Sequence, residues 1–125
     1  MKGDLIHFEI PANDSEMLAA FYSKVLGWKI DDPMPDMSGY RMIHASEGQE
    51  TVGAGMYKRS LPEQTPVNYY EMESIEVVVS WVREAGGKVV MEKMPVTGWG
   101  YFAICLDPGN NPFGIWVTDK NAAAR

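Results

Sequence analysis

Basic residues, histidines, cysteines and long apolar runs are all scarce in this chain, and each shortage removes a class of function. The 11 lysines and arginines stand against 17 aspartates and glutamates, giving a formal charge of −6 and a pI near 4.8. Nucleic acid and anionic membrane surfaces both demand a basic face, so neither is an expected partner, and the acidity serves solubility. The single cysteine, Cys105, allows no internal disulfide and fits a reducing, cytoplasmic setting. Set in a run of apolar strand residues, it reads as a small core residue rather than a nucleophile. No apolar run approaches the roughly 20 residues of a membrane span. The N-terminal MKGDLIHF leads straight into a strand without a signal-peptide core. The GWG at 98–100 lacks the Lys-Ser/Thr and the helix of a phosphate loop. Ser15, Ser23, Ser46, Ser60, Ser74 and Ser80 show no activating arrangement. Heptads and low-complexity segments are also missing, which argues against a scaffold.

What is present suits one soluble domain. The chain has 125 residues, 46% hydrophobic and 22% charged, enough to bury a sizeable core. Nine methionines, four tryptophans, six tyrosines and four phenylalanines either fill that core or line an adaptable apolar pocket.

The run Leu5–Ile10 is β-rich and stops at Pro11, so it predicts a strand. Alternation then puts Phe8 and Ile10 on one face and His7 and Glu9 on the other. A helix follows. Asn13 with Glu16 has capping-box spacing, with Asp14 and Ser15 as rival caps. Met17, Leu18, Phe21, Tyr22 and Val25 form one apolar stripe, and Gly27 is the natural left-handed stop. Strands are expected at 28–30, 40–45 and 51–57, with a turn at 46–50. Gly53 and Gly55 weaken the last of these. They admit a ligand or another backbone, or mark a twist or bulge.

Residues 58–66, KRSLPEQTP, read as a linker. Beyond it come a strand at 67–72, a helix at 74–85 stopped by Gly86-Gly87, a strand at 88–91, a loop at 92–98 and a strand at 100–106. A DPGNN turn leads to a last strand at 113–118, and NAAAR is a tail. The valines of the second helix are poor helix formers, so packing must support it. Both halves therefore read β-α-β-β-β. A shift of sixty places Glu16 on Glu76, Gly27 on Gly87, Met34 on Met94, Pro35 on Pro95 and Ile30 on Val90. We read one domain, 1–125, built of two modules of one ancestral unit, about 4–57 and about 67–119. A sheet with one helix leaves a face uncovered, so the modules are expected to pair, within one chain or between chains.

The tandem βαβββ pattern, the HFEIP strand leading to FYSKVLGW, the REAGGKV helix end and the DPGNNPFGIW hairpin resemble the vicinal oxygen chelate superfamily. That group includes glyoxalase I, extradiol dioxygenases and fosfomycin and bleomycin resistance proteins. The resemblance covers about residues 4–119. It implies an α+β fold in which two modules pair into a curved mixed sheet, a half-barrel with its helices outside, and a homodimer. Such a scaffold hosts unrelated chemistries, so function must be read from the site.

In glyoxalase I-like members the metal ligands come from the first and last strands of each module. The resemblance puts those positions at 7, 67, 54 and 114. His7 matches. Val67, Ala54 and Gly114 carry no donor atom, and a catalytic zinc normally takes about three protein ligands. No metal or other cofactor is therefore expected, although His7, Glu9 and Glu71, if they share a face, offer a set of their own for a divalent ion. The same carboxylates otherwise pair with basic groups, sit at a wet rim, or serve as acid or base with a raised pKa. His44 and Asp107 read as surface and turn residues. Met56, Tyr69 and Trp116, with Val52 beside Met56 and Trp99 over the mouth, are expected to present aromatic and apolar contact area, or simply to fill the half-barrel.

The resulting expectation is a glyoxalase-like protein that binds a small organic molecule in a metal-free aromatic cavity. His7, Glu9 and Glu71 would supply polarity. The alternatives are a lyase or isomerase of glyoxalase I type using a divalent metal or a carboxylate base, and a non-catalytic interaction protein with its cavity packed shut.

Overall fold

The structure, a computed structural model, describes residues 3–45 and 52–123. The turn expected at 46–50, Thr51 and the last two residues of the tail lie outside that range. The element order is β1 (Asp4–Ala12), α1 (Ser15–Leu26), β2 (Lys29–Ile30), a 3-10 turn at Pro35–Met37, β3 (Arg41–His44), β4 (Gly53–Lys58), β5 (Val67–Glu71), α2 (Ile75–Glu84), β6 (Lys88–Val96), β7 (Gly100–Leu106) and β8 (Pro112–Thr118). This is an α+β protein of two βαβββ modules. The chain divides into two compact units, His7–Pro66 and Met1–Ile6 with Val67–Arg125. No helix among the described residues is long and apolar enough to cross a membrane.

In the first module the strands run in the order β2-β3-β4-β1. Pro11 does not end β1: the strand continues to Ala12, parallel to β4, with Pro11 opposite Tyr57 and Ala12 opposite Lys58. Asp14, not Asn13, caps α1, its Oδ1 accepting from the Met17 N–H at 3.1 Å. Gly27 stops the helix at φ 73° and donates to the Ser23 carbonyl. The expected stripe of α1 divides. Leu18 packs on a core of Ala12, Ile43, Ala54 and Met56, and Tyr22 stacks on Trp28 at 5.0 Å. Met17, Phe21 and Val25, one position round the helix, stay exposed. A stripe that wide exceeds what one sheet face covers.

The second module orders its strands β5-β8-β7-β6. Ser74 caps α2 by accepting from the Val77 N–H at 3.2 Å. The weak intrinsic propensity of its valines is overridden by burial, since Ile75, Val78 and Val79 pack on Ala103, Cys105 and Ile115. Cys105 is fully buried, and burial pushes its thiol pKa up, with the Glu92 charge adding to the shift. The loop expected at 92–98 is strand as far as Val96, and the turn is confined to 97–99. β6 pairs with β7 from Lys88 to Val96 and absorbs the irregular pattern in two register shifts, between Val89 and Met91 and between Met91 and Met94.

The β7–β8 turn is built on Asp107. Its Oδ1 accepts from the backbone N–H of Asn111 at 2.9 Å and of Gly109 at 2.8 Å, and the Asn111 side chain donates to both carboxylate oxygens. Asn110 takes the left-handed conformation at φ 67°, which asparagine tolerates. The Asn111 N–H and side chain, more than Gly109, hold the Asp107 carboxyl below the usual carboxylate range. The folded state therefore binds this proton less tightly than the unfolded chain, and the turn's contribution is present above the unfolded pKa and lost as pH falls through the folded value. Thermal unfolding from about pH 6 down to about pH 2.5 should show Asp107→Asn melting below the wild type at the neutral end, with the gap closing on acidification. A gap independent of pH would contradict this account of the turn.

Candidate functional site

Strand alternation and register decide which side chains meet. In the parallel β1–β4 pair, His7 lies opposite Gly53, Phe8 opposite Ala54, Glu9 opposite Gly55 and Ile10 opposite Met56. β3 adds Met42 opposite Gly55 and Ile43 opposite Ala54. Aligned neighbours in a sheet share a face, so one face carries His7, Glu9, Met42, Gly53, Gly55 and Tyr57. The other carries Phe8, Ile10, Ile43, Ala54 and Met56.

This corrects two expectations. Ala54 is not the last-strand position beside His7, and Met56 does not line the His7 face. Both are 1% exposed within the core cluster. The cause is a one-residue change in the repeat: Glu9 pairs with Gly55, whereas its counterpart Tyr69 pairs with Gly114, one residue short of a sixty-residue shift. A slip of one residue in a strand exchanges its faces. Val52 lies in a bend just before β4.

The His7 face holds a group that sequence reasoning missed. Tyr40, just before β3, places its hydroxyl 2.8 Å from His7 Nε2 and donates to Glu9 Oε2 at 2.9 Å. His7 and Glu9 themselves are 3.7 Å apart, too far for a direct hydrogen bond, so Tyr40 bridges them. A phenol has one hydrogen, and a carboxylate only accepts. With that hydrogen on Glu9, the network assigns a hydrogen to His7 Nε2, directed at the Tyr40 oxygen. The side chains of His7 and Glu9 are 25% and 19% exposed, so the cluster is half-buried and within reach of a ligand.

Gly55 makes the arrangement possible. A β-carbon there would stand 2.5 Å from Tyr40 Cε2 and closer still to the hydroxyl. The Gly53/Gly55 pair in β4 was the available signal, since strand glycines mark close approach. Its occupant, 15 residues earlier in the chain for Gly55, cannot be found by periodicity. Tyr57 shares this face and donates to the Thr65 carbonyl at 3.2 Å. Burial raises its pKa, the Glu9 charge raises it further, and Arg59 works against both.

In the second module Tyr69 lies opposite Gly114 and Glu71 opposite Trp116. Tyr69 is 7% exposed and meets Phe102 edge-on at 6.2 Å. Its ring covers Gly114, with Cγ 2.8 Å from where a β-carbon would stand. The Trp116 ring lies against Gly100. Its Nε1–H donates to Thr118 Oγ1 at 2.9 Å, and that hydroxyl donates to Glu71 Oε2 at 3.1 Å. The carboxylate, the hydroxyl and the indole are thereby fixed in one chain. Trp99, on the β6–β7 turn, is 65% exposed. His44, as a surface residue, approaches Asp31 at 3.1 Å.

The donor set does not fit the metal that the fold family implies. Beside His7, Gly53 and Gly55 carry no ligand atom, and Tyr40 fills the space over Gly55. Val67 has no donor, and Tyr69 fills the space over Gly114. His7 Nε2 is committed to Tyr40. Among the described residues no group of three or more His, Cys, Asp or Glu side chains is placed to hold an ion. Each unit has an open cleft, and that of the second module includes Glu71 and Thr118 in its lining. One, of about 490 Å³, is lined by Asn13, Arg59, Ser60, Leu61 and Pro62. The other, of about 250 Å³, is lined by Glu71, Met72, Glu73, Val117 and Thr118.

The chain is similar to known proteins at the levels of family, sequence and fold. The family model of the Glyoxalase/Bleomycin resistance protein/Dioxygenase superfamily matches residues 4–115. CFP32 of Mycobacterium tuberculosis, provisionally named a glyoxylase, is 23% identical over 120 residues, covering 93% of this chain and 46% of CFP32. The anthracycline biosynthesis protein DnrV of Streptomyces peucetius is 25% identical over 126 residues, covering 87% of this chain and 45% of DnrV. The chain thus spans about half the length of the curated relatives it matches. Among solved structures, methylmalonyl-CoA epimerase from Mycobacterium tuberculosis superposes with a TM-score of 0.65 at 16% identity, covering 94% of this chain and 88% of that one. At that identity the likeness is one of fold.

Proposed function

Because this chain belongs to the Glyoxalase/Bleomycin resistance protein/Dioxygenase superfamily, we propose that it binds a small organic molecule on the His7–Glu9 face of its first module without the help of a metal ion. The observation that carries this reading is the Tyr40 bridge over Gly55. Three polar side chains stand half-buried in one hydrogen-bonded set, where burial without partners would cost about 1–3 kcal/mol per group. The relatives named for a glyoxylase, for anthracycline biosynthesis and for methylmalonyl-CoA epimerisation point the same way, toward small-molecule chemistry. In the second module, Trp116 is the aromatic surface best fixed for contact, and Glu71 the polar group that fixes it.

The test is titration of the protein with Zn²⁺, Ni²⁺ and Mn²⁺ by calorimetry, followed by anomalous scattering from soaked crystals. The expected result is no stoichiometric heat and no ion at His7. An ion coordinated by His7 at full occupancy, with Tyr40 displaced, overturns the reading.

A further inference from the structure

The segment after β4, which the sequence presents as a plain linker, shapes the cleft of about 490 Å³ in the first unit, lined by Asn13, Arg59, Ser60, Leu61 and Pro62. That volume lies in the range of small-molecule sites. The loop holds its shape through its own bonds. The Arg59 N–H donates to the Ala12 carbonyl at 2.9 Å, tying the loop to the end of β1. The Gln64 side-chain oxygen accepts from the Ser60 N–H at 2.8 Å, the Leu61 N–H at 3.2 Å and the Ser60 hydroxyl at 3.4 Å. The Gln64 N–H closes on the Leu61 carbonyl at 3.1 Å, and Arg59 Nη1 donates to the Pro62 and Gln64 carbonyls. A wall formed in advance loses little binding free energy to ordering.

Arg59 carries a charge that the protein leaves unmatched. Its Nη1 meets carbonyl oxygens, which are neutral. Among the described residues no carboxylate forms an ion pair with it, and its Nε is buried without an acceptor. Charges taken out of water are ordinarily paired. The acidic neighbours in sequence do not serve: Asp14 turns its Oδ1 to the Met17 N–H, and Glu63, exposed on the same turn, is not part of the lining. Because Asp14 takes the cap of α1, Asn13 lines the cleft instead, bringing an amide with two N–H donors. Ser60 adds a hydroxyl. Leu61, 53% exposed, and Pro62 make the apolar part of the wall.

We infer that this cleft binds an organic monocarboxylate, its charged end against Arg59 and Asn13 and its apolar body on Leu61 and Pro62. One guanidinium balances one negative charge. A phosphate monoester carries about −1.5 to −2 at neutral pH, and the excess would face the Pro62 and Gln64 carbonyls within a chain whose formal charge is already −6. The cleft shares no lining residue with the His7–Glu9 face, so it is a second site, independent of the first.

Three probes with one apolar body separate the possibilities: 4-phenylbutyrate, 4-phenylbutyramide and phenyl phosphate. Each is titrated into ¹⁵N-labelled protein while the Arg59 Nε–H, the Asn13 side-chain amide and the Leu61 N–H are followed. The expected result is that 4-phenylbutyrate shifts all three to saturation and binds about tenfold tighter than the amide, the size set by one hydrogen bond to a charged group, with phenyl phosphate weaker than the carboxylate. Arg59→Gln should remove that preference. Since Arg59 also braces the loop, Asn13→Ala, an exposed change outside it, is the second variant, and it should weaken carboxylate binding about threefold while the Leu61 N–H signal of the free protein stays in place. Equal affinity for acid and amide overturns recognition of the charge. Tighter binding of phenyl phosphate overturns the carboxylate class. Shifts confined to other residues, or no saturable shift, overturn the site, and full carboxylate binding in both variants overturns the roles of Arg59 and Asn13.

Discussion

Gly55→Ala should lower stability by about 2–4 kcal/mol, far more than one methyl group on a strand ordinarily costs. The new β-carbon would occupy the space of the Tyr40 ring. The ring must leave the face, and with it go the bonds to His7 and Glu9. The decisive comparison is with a second background. In Tyr40→Ala the obstacle is gone, and Gly55 has an ordinary strand conformation that is not among the positive-φ glycines. There Gly55→Ala should be neutral or stabilising by about 0.4–1 kcal/mol, because alanine restricts the unfolded chain. Urea denaturation of the four proteins gives the coupling directly. Equal costs in the two backgrounds would show that Gly55 is not there to admit Tyr40.

Met56→Ala should cost about 2–5 kcal/mol, the range for emptying a buried methionine-sized site. Met56 is 1% exposed among Ala12, Ile43 and Ala54. Met56→Leu conserves volume and should stay below about 1.5 kcal/mol. Neither change should alter the NMR signals of the His7 ring, since the side chain projects from the opposite side of β4. A cost for Met56→Ala below about 1 kcal/mol, with shifted His7 ring signals, would return Met56 to the His7 face. The midpoint of chemical denaturation and the His7 ring signals of labelled protein measure the two effects separately.

The fold was legible because its signals are local. Caps, glycine stops and strand alternation each span a few residues, and the sixty-residue echo repeats them. Asp14 in place of Asn13 as cap and Ala12 in place of Ile10 as strand end are shifts within the usual blur of element ends. The continuity of β6 was hidden because its bulges break the alternation that identifies a strand. The site was half legible. His7 and Glu9 follow from alternation along one strand. Tyr40 does not, since its relation to them is made by three strands coming side by side. Met56 was misplaced by a single residue of drift between the modules, an error invisible in sequence because Ala54 and Gly114 align without a gap.

The irregular course of β6 has a consequence for the fate of the protein at high concentration. β6 ends the strand order of its module, hydrogen-bonded to β7 on one side, and an outer strand with regular spacing is a template on which other chains can add. Val90, Met91 and Met94 are exposed there and would make such growth adhesive. The two register shifts spoil the spacing, Pro95 withdraws a donor, and Lys93, bound to Glu76 at 2.9 Å and set over the Tyr101 ring, places a charge beside the edge. The same bulges that concealed the strand from pattern reading thus guard the folded protein against filament growth along this apolar border.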